Sequence, residues 1–262
     1  MARYLISFEY EGRNFFGSQI QPDKRTAQEE LAKAICTLTK NNSTKIIMAG
    51  RLDRGVSAKC HTAHFDTEYA LDTPQEEFKF LNSLNAILPN DIAVFKILKT
   101  EDDFHAQKNA TFRHYRYTIK SSFVKPVFNK NVLFIRKPLN AELMDAAVKE
   151  IVGTHDFSAF KSTSDNPSTI CEIYFANVSK KEIETGCYLE VNIVGNRFLY
   201  NMVRAIVGTL LMIEKEKMPA GKMKEILNSK NRAFAGPNVE PYGLTLIKTG
   251  YNNPKDYIKT IN

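Results

Sequence analysis

Apolar and polar positions along this chain follow two alternating rhythms. Tyr4, Ile6, Phe8 and Tyr10 recur at every second residue, which predicts a strand over 3–10. Gly12 then permits a turn. Ala27, Leu31, Ala34, Ile35 and Leu38 recur at helical spacing behind a Thr26…Glu29 capping pair, predicting a helix over 27–39. Residues 60–66 read as extended. Thr73, Pro74 and Glu76 open a second helix that runs to about Pro89. Residues 91–98 are apolar on both sides, as in a buried strand, and 112–119 (FRHYRYTI) form another strand candidate.

The second half restarts the pattern. Asn140 caps a helix that closes by Gly153. Residues 168–178 and 187–194 alternate around a charged hairpin loop. A helix is expected over about 198–213, a short one near 222–228, and a final strand over 244–251. Neighbouring strands often follow one another without a helix between them. The expectation is therefore an α+β fold with two related α/β halves around a continuous, mostly antiparallel sheet, with helices packed on one face. The halves divide as 1–105 and 106–262.

The 262 residues, 43% hydrophobic and 25% charged, argue against a disordered or fibrous chain. The longest strongly apolar run, Ala205 to Ile213, is too short to span a bilayer, and the N-terminus does not resemble a signal peptide. Cys36, Cys60, Cys171 and Cys187 are scattered without a CxxC pair, so neither a disulfide framework nor a zinc ribbon is expected. A reducing, cytoplasmic compartment follows. The net charge of +7 permits a polyanionic partner.

Four stretches could carry chemistry. In 49–58 (AGRLDRGVSA), Asp53 lies between Arg51 and Arg54, ahead of Gly55. Flanking guanidiniums should keep this carboxylate ionised, fit to act as nucleophile or base, and the bland alternative is a solvated charged turn. In 195–208, Arg197, Asn201 and Arg204 stand at spacings of four and three, which puts them on one helical face. A buried Arg204 would need a carboxylate, and Asp53 is a candidate; another acid would serve a purely structural pair equally well. In 112–119, Arg113, Tyr115 and Tyr117 point to one side of a strand, suited to stacking on a base beside a phosphate or to ordinary packing. In 10–28, Lys24 and Arg25 could touch phosphates, although a surface loop is the simpler reading. Cys60, His61 and His64 are spaced wrongly on a strand to chelate one ion. A packed cysteine with partly exposed histidines is expected there, and no metal.

Taken in order, YEGRNFFGSQIQP, TAQEEL, AGRLDRGVSA, FRHYRYTI, VGTHDFSAF, GNRFLYNMVRAIVGTLL and YGLTL resemble the TruA-type tRNA pseudouridine synthases from about Tyr4 to Tyr251. The resemblance implies the pseudouridine synthase fold with a basic central cleft. It also implies isomerisation of uridine to pseudouridine in the anticodon stem-loop of tRNA, by a homodimer without cofactor or metal. On this resemblance Asp53 matches the catalytic aspartate and nucleophile, Arg51 the arginine that helps displace the base, and Arg204 its partner to the aspartate. Tyr115 matches the stacking tyrosine, with Tyr117 a near competitor, and Leu244 an apolar residue near the target base. Arg54, Arg113, Arg197, Lys24 and Arg25 are candidates for holding RNA. Two departures stand out: Leu52 replaces the usual Thr, and Ser18 the frequent Trp. The competing readings are an RNA-binding or RNA-folding protein of the same fold without catalysis, and a structural protein whose Asp53–Arg204 pair only stabilises it.

Overall fold

The computed structural model describes residues 1–69, 71–163 and 168–261. Contacts divide the chain into two units, Met1–Ala110 with Leu246–Tyr251, and Thr111–Thr245 with Asn252–Asn262.

The first unit starts with β1 (Ala2–Tyr10), whose alternating side chains are buried almost throughout. Helix α1 (Ala27–Thr39) begins where Thr26 Oγ1 accepts the Glu29 N–H, and buries Ala27, Leu31, Ala34 and Ile35. Then come β2 (Ile46–Met48), β3 (Ser57–Thr67), α2 (Pro74–Ile87) and β4 (Ile92–Thr100). The capping box at Thr73 and Glu76 is complete, with each side chain satisfying the other's backbone N–H. β1 runs antiparallel between β3 and β4, and β2 pairs with the far side of β3. β4 is therefore an edge strand. Its Phe95 and Leu98 are exposed, so it is buried on one face only, not on both as its apolar run predicts.

The second unit holds β5 (Phe112–Ser122), β6 (Leu133–Ile135), α3 (Ala141–Lys149) and β7 (Gly153–Asp156). These are followed by the hairpin β8 (Ile170–Ile183) and β9 (Gly186–Gly195), then α4 (Met202–Lys215) and α5 (Lys222–Ser229). Its antiparallel order is β5-β9-β8-β7, and β6 adds to β5 in parallel. β10 (Leu244–Gly250) starts in this unit and ends in the first. Short α6 (Pro254–Ile258) closes the chain. The mixed α+β class and the mostly antiparallel pairing are those the sequence predicts. No described helix is long and apolar enough to cross a membrane.

Candidate active-site residues

In the first unit the 49–56 segment is a loop between β2 and β3. Val56 N–H donates to Asp53 O at 3.1 Å, and Gly55 has φ +83°, which closes a tight turn on Asp53. A positive φ at the third turn position selects glycine there. The turn presents Arg51 and Arg54 as exposed side chains and Asp53 as half-buried, while Leu52 and Val56 anchor it below.

The loop is held by residues far away in sequence. Ser18 is fully buried and its N–H donates to Leu52 O at 3.0 Å. Its Oγ accepts the Leu52 N–H at 2.8 Å and donates to Gly50 O at 3.4 Å. His61 meets the same Gly50 carbonyl through Nε2 at 3.1 Å. Thr62 N–H donates to His61 Nδ1, which places the imidazole proton on Nε2. Gly55 N–H reaches Phe15 O at 3.4 Å. The 10–28 stretch is thus the platform of the Asp53 loop and not a simple surface loop. His61 and His64 are both buried, in contrast to the expected partial exposure. His64 Nδ1 accepts the Ala106 N–H.

The cations around this loop differ in their surroundings. Arg54 stacks over the Phe16 ring, 4.3 Å from its centroid, and Lys24 lies 4.9 Å from the same ring. Arg25 sits over Phe15, binds both Asp91 carboxylate oxygens and donates to Glu30 at 2.6 Å. These partners raise its pKa further above its ordinary value. Arg25 is thus a strut between a loop and a helix, whereas Lys24 and Arg54 lie exposed.

In the second unit, β5 presents Arg113, Tyr115 and Tyr117 on one face. Tyr117 is fully buried, and its hydroxyl donates to Glu240 O at 2.8 Å. Burial pushes that phenol well above its usual pKa, with Arg204 opposing the shift. Tyr115 is only half-buried and meets Phe198 edge-on, with centroids 4.9 Å apart. Of the two tyrosines, only Tyr115 keeps part of its ring open. Arg113 donates to Asn196 O at 2.8 Å.

Helix α4 starts at Met202, not near 198, because Asn201 takes a left-handed conformation with φ +61° and breaks the helical path. Arg197 therefore lies before the helix, donating to Ser168 O at 3.3 Å, and shares no helical face with Arg204. Asn201 still reaches Arg204. Its Oδ1 accepts from Arg204 Nη1 at 2.7 Å, while Nδ2 donates to Ser162 Oγ at 3.0 Å. Arg204 Nε donates to Val239 O at 2.8 Å. These bonds aim the guanidinium, which is half-buried and not deeply buried as the apolar helix predicts. Leu244 opens β10, buried, next to the Pro241–Gly243 turn.

Comparison with known proteins decides what this arrangement belongs to. A family model described as tRNA pseudouridine synthase matches residues 147–252. A protein named tRNA pseudouridine synthase A 1 from Bacillus cereus is 37% identical over 255 residues, covering 97% of this chain and 100% of the relative. One named tRNA pseudouridine synthase A from Thermoanaerobacter sp. (strain X514) is 39% identical over 253 residues, covering 96% and 100%. Another from Shouchella clausii (strain KSM-K16) is 38% identical over 259 residues, covering 97% and 95%.

The chain belongs to the tRNA pseudouridine synthase A family.

Within this family member, each unit organises its own set of residues. The first presents Asp53, Arg51 and Arg54 on a braced turn. The second holds Tyr115 against Phe198, Arg204 by Asn201 and Val239, and Leu244 at the start of β10. Sequence reasoning missed the braces: Ser18, His61, Phe198 and Val239. Ser18 and His61 gave no signal of this role, standing between Gly17 and Gln19 and between Cys60 and Thr62. Val239 gave none, because only its backbone carbonyl takes part.

Proposed function

We propose that this family member isomerises uridine to pseudouridine in the anticodon stem-loop of tRNA, with Asp53 as the nucleophile. The reaction breaks the N1–C1′ glycosidic bond and forms a C5–C1′ bond. C5 loses its hydrogen and N1 gains one, so no redox partner or group donor enters the balance. The observation that carries this reading is the Asp53 turn. A carboxylate is presented on a rigid loop between two exposed arginines, braced by Ser18 and His61. Held this way, it needs little reorganisation on attack.

The other site residues take their roles from the same reading. A buried base must leave its stack to be reached. Arg51, exposed beside Asp53, would occupy the vacated space. Tyr115, whose hydroxyl-bearing ring is half open, would stack on the extruded uracil, and Leu244 would line the apolar side of the base. Arg204, held by Asn201 and Val239, would pair with Asp53. Arg54, Lys24, Arg113 and Arg197 would approach the phosphates; Arg25, held by two carboxylates, would act through the loop it braces. The active form would be a cytoplasmic homodimer.

The test is a wild-type incubation with an unmodified tRNA transcript, without metal or nucleotide, followed by carbodiimide mapping and primer extension. Stops confined to the anticodon stem-loop are expected. Stops only in other arms would contradict the assigned target, and binding without any product would favour an RNA-binding protein.

A further inference from the structure

Between β5 and β6 the chain must reverse, because Ile119–Ser121 lie parallel to Leu133–Ile135. The connecting segment displays an unusual surface. Phe128 is fully exposed, Phe123 is 74% exposed, and Val124 and Val127 are exposed beside them. Lys125 and Lys130 alternate with these side chains and are exposed as well. The base of the segment is fixed: Ser122 Oγ donates to Thr185 O at 2.7 Å and accepts the Val124 N–H at 3.0 Å.

Along the chain the charge of this stretch is one-sided, although the end of the β8–β9 hairpin that holds its base carries the exposed Glu182 and Glu184. Residues 111–140 contain seven Lys and Arg, and none of the chain's 29 carboxylates falls there. Arg116 and Lys137 are matched from outside, by Glu190 and Glu214. Lys125 and Lys130 flank the exposed rings on the same segment.

We infer that the 123–130 segment is a tRNA-docking surface, on which Phe123 and Phe128 stack against unpaired bases while Lys125 and Lys130 meet the phosphates. This rests on the tRNA reading above. Rings flanked by lysines match the two repeating features of a single-stranded nucleic acid, a π-face and a phosphate at each step. A second copy of this chain fits less well, since a two-fold contact would set the same lysine-bearing surface against itself.

The test compares wild type with Phe123→Ala/Phe128→Ala and Lys125→Ala/Lys130→Ala. Affinity for an unmodified tRNA transcript is measured by fluorescence anisotropy at several salt concentrations. Product formation at saturating tRNA and sedimentation velocity are measured alongside. The aromatic pair should weaken binding by about 10-fold or more at an unchanged salt slope. The lysine pair should weaken binding and reduce the magnitude of the log–log salt slope by about 1–2. Both should keep the wild-type rate at saturating tRNA. Unchanged affinity and slope would overturn the inference, as would variants that alter only the sedimentation coefficient, which would mark a self-association surface. Loss of tRNA affinity in the variants of a wild type that binds but makes no product would uphold the docking surface and sink the enzyme reading. No tRNA binding by wild type would overturn both.

Discussion

A serine hydroxyl sets the geometry of the Asp53 loop. The Ser18 Oγ joins Leu52 N–H and Gly50 O, one residue to either side of Arg51. Ser18→Ala leaves a buried Leu52 N–H without its acceptor, a local penalty of about 1–3 kcal/mol. The loop should then relax, lowering kcat about 10-fold while KM for tRNA changes little. Single-turnover rates beside steady-state constants check this, and an unchanged kcat would show the brace to be dispensable. At this scale the Asp53 turn was legible. Gly55 after the Arg-Leu-Asp-Arg run predicts a loop between strands, and the structure has that turn, with Gly55 at φ +83°. The role of Asp53 comes from the resemblance, since the local pattern alone fits a solvated charged turn as well. The tyrosine ambiguity could not be settled from spacing, since Tyr115 and Tyr117 share a strand face. Burial of Tyr117 against Glu240 O separates them.

Among the elements, α4 shows best how packing aims a side chain. A Cβ at Gly208 would lie 1.8 Å from Pro237 O, so only glycine lets the 236–239 segment lie against this helix. Thr209 completes the join by accepting the Gly236 N–H at 2.8 Å. That approach brings Val239 O onto Arg204. Gly208→Ala should therefore destabilise the fold by about 1–3 kcal/mol in urea unfolding, by overpacking. A loss within error would mean the segment can move away freely. The long amphipathic elements were readable: α1, α2 and α3 begin at the caps the sequence displays. The start of α4 was not, because Asn201 leaves the helical path through a backbone conformation that apolar periodicity does not encode. Likewise β4 reads as buried, since exposure of an edge strand depends on which neighbours pair with it. The three-residue strands β2 and β6 are too short to show a period.

For the molecule as a whole, the titrations concern stability. Burial lowers the pKa of His114 to about 4, between Asn192 and the Tyr257 hydroxyl at 2.8 Å. Burial also lowers His64 to about 4. Both sit below the ordinary value of 6.5, so the unfolded chain takes up protons before the folded one does. Stability is thus full above pH 6.5 and falls as pH drops towards 4, with each group contributing on the order of 3 kcal/mol across that window. Thermal midpoints between pH 7 and 4 should follow this fall, and His114→Asn should flatten it; equal slopes in both proteins would remove His114 as a cause. The net charge of +7 adds a long-range attraction for a polyanion, screened by salt.

The central claim, that Asp53 performs the chemistry on a uridine in tRNA, is tested most directly by tritium release. A tRNA transcript labelled at C5 of its uridines loses label as water only when C5 becomes bonded to C1′. Wild type should release tritium, and Asp53→Asn should release none above background while binding the same tRNA within about 3-fold, since the change removes one charge from a turn and leaves its backbone bonds in place. Release by Asp53→Asn at the wild-type rate would contradict the account and assign the reaction to another group.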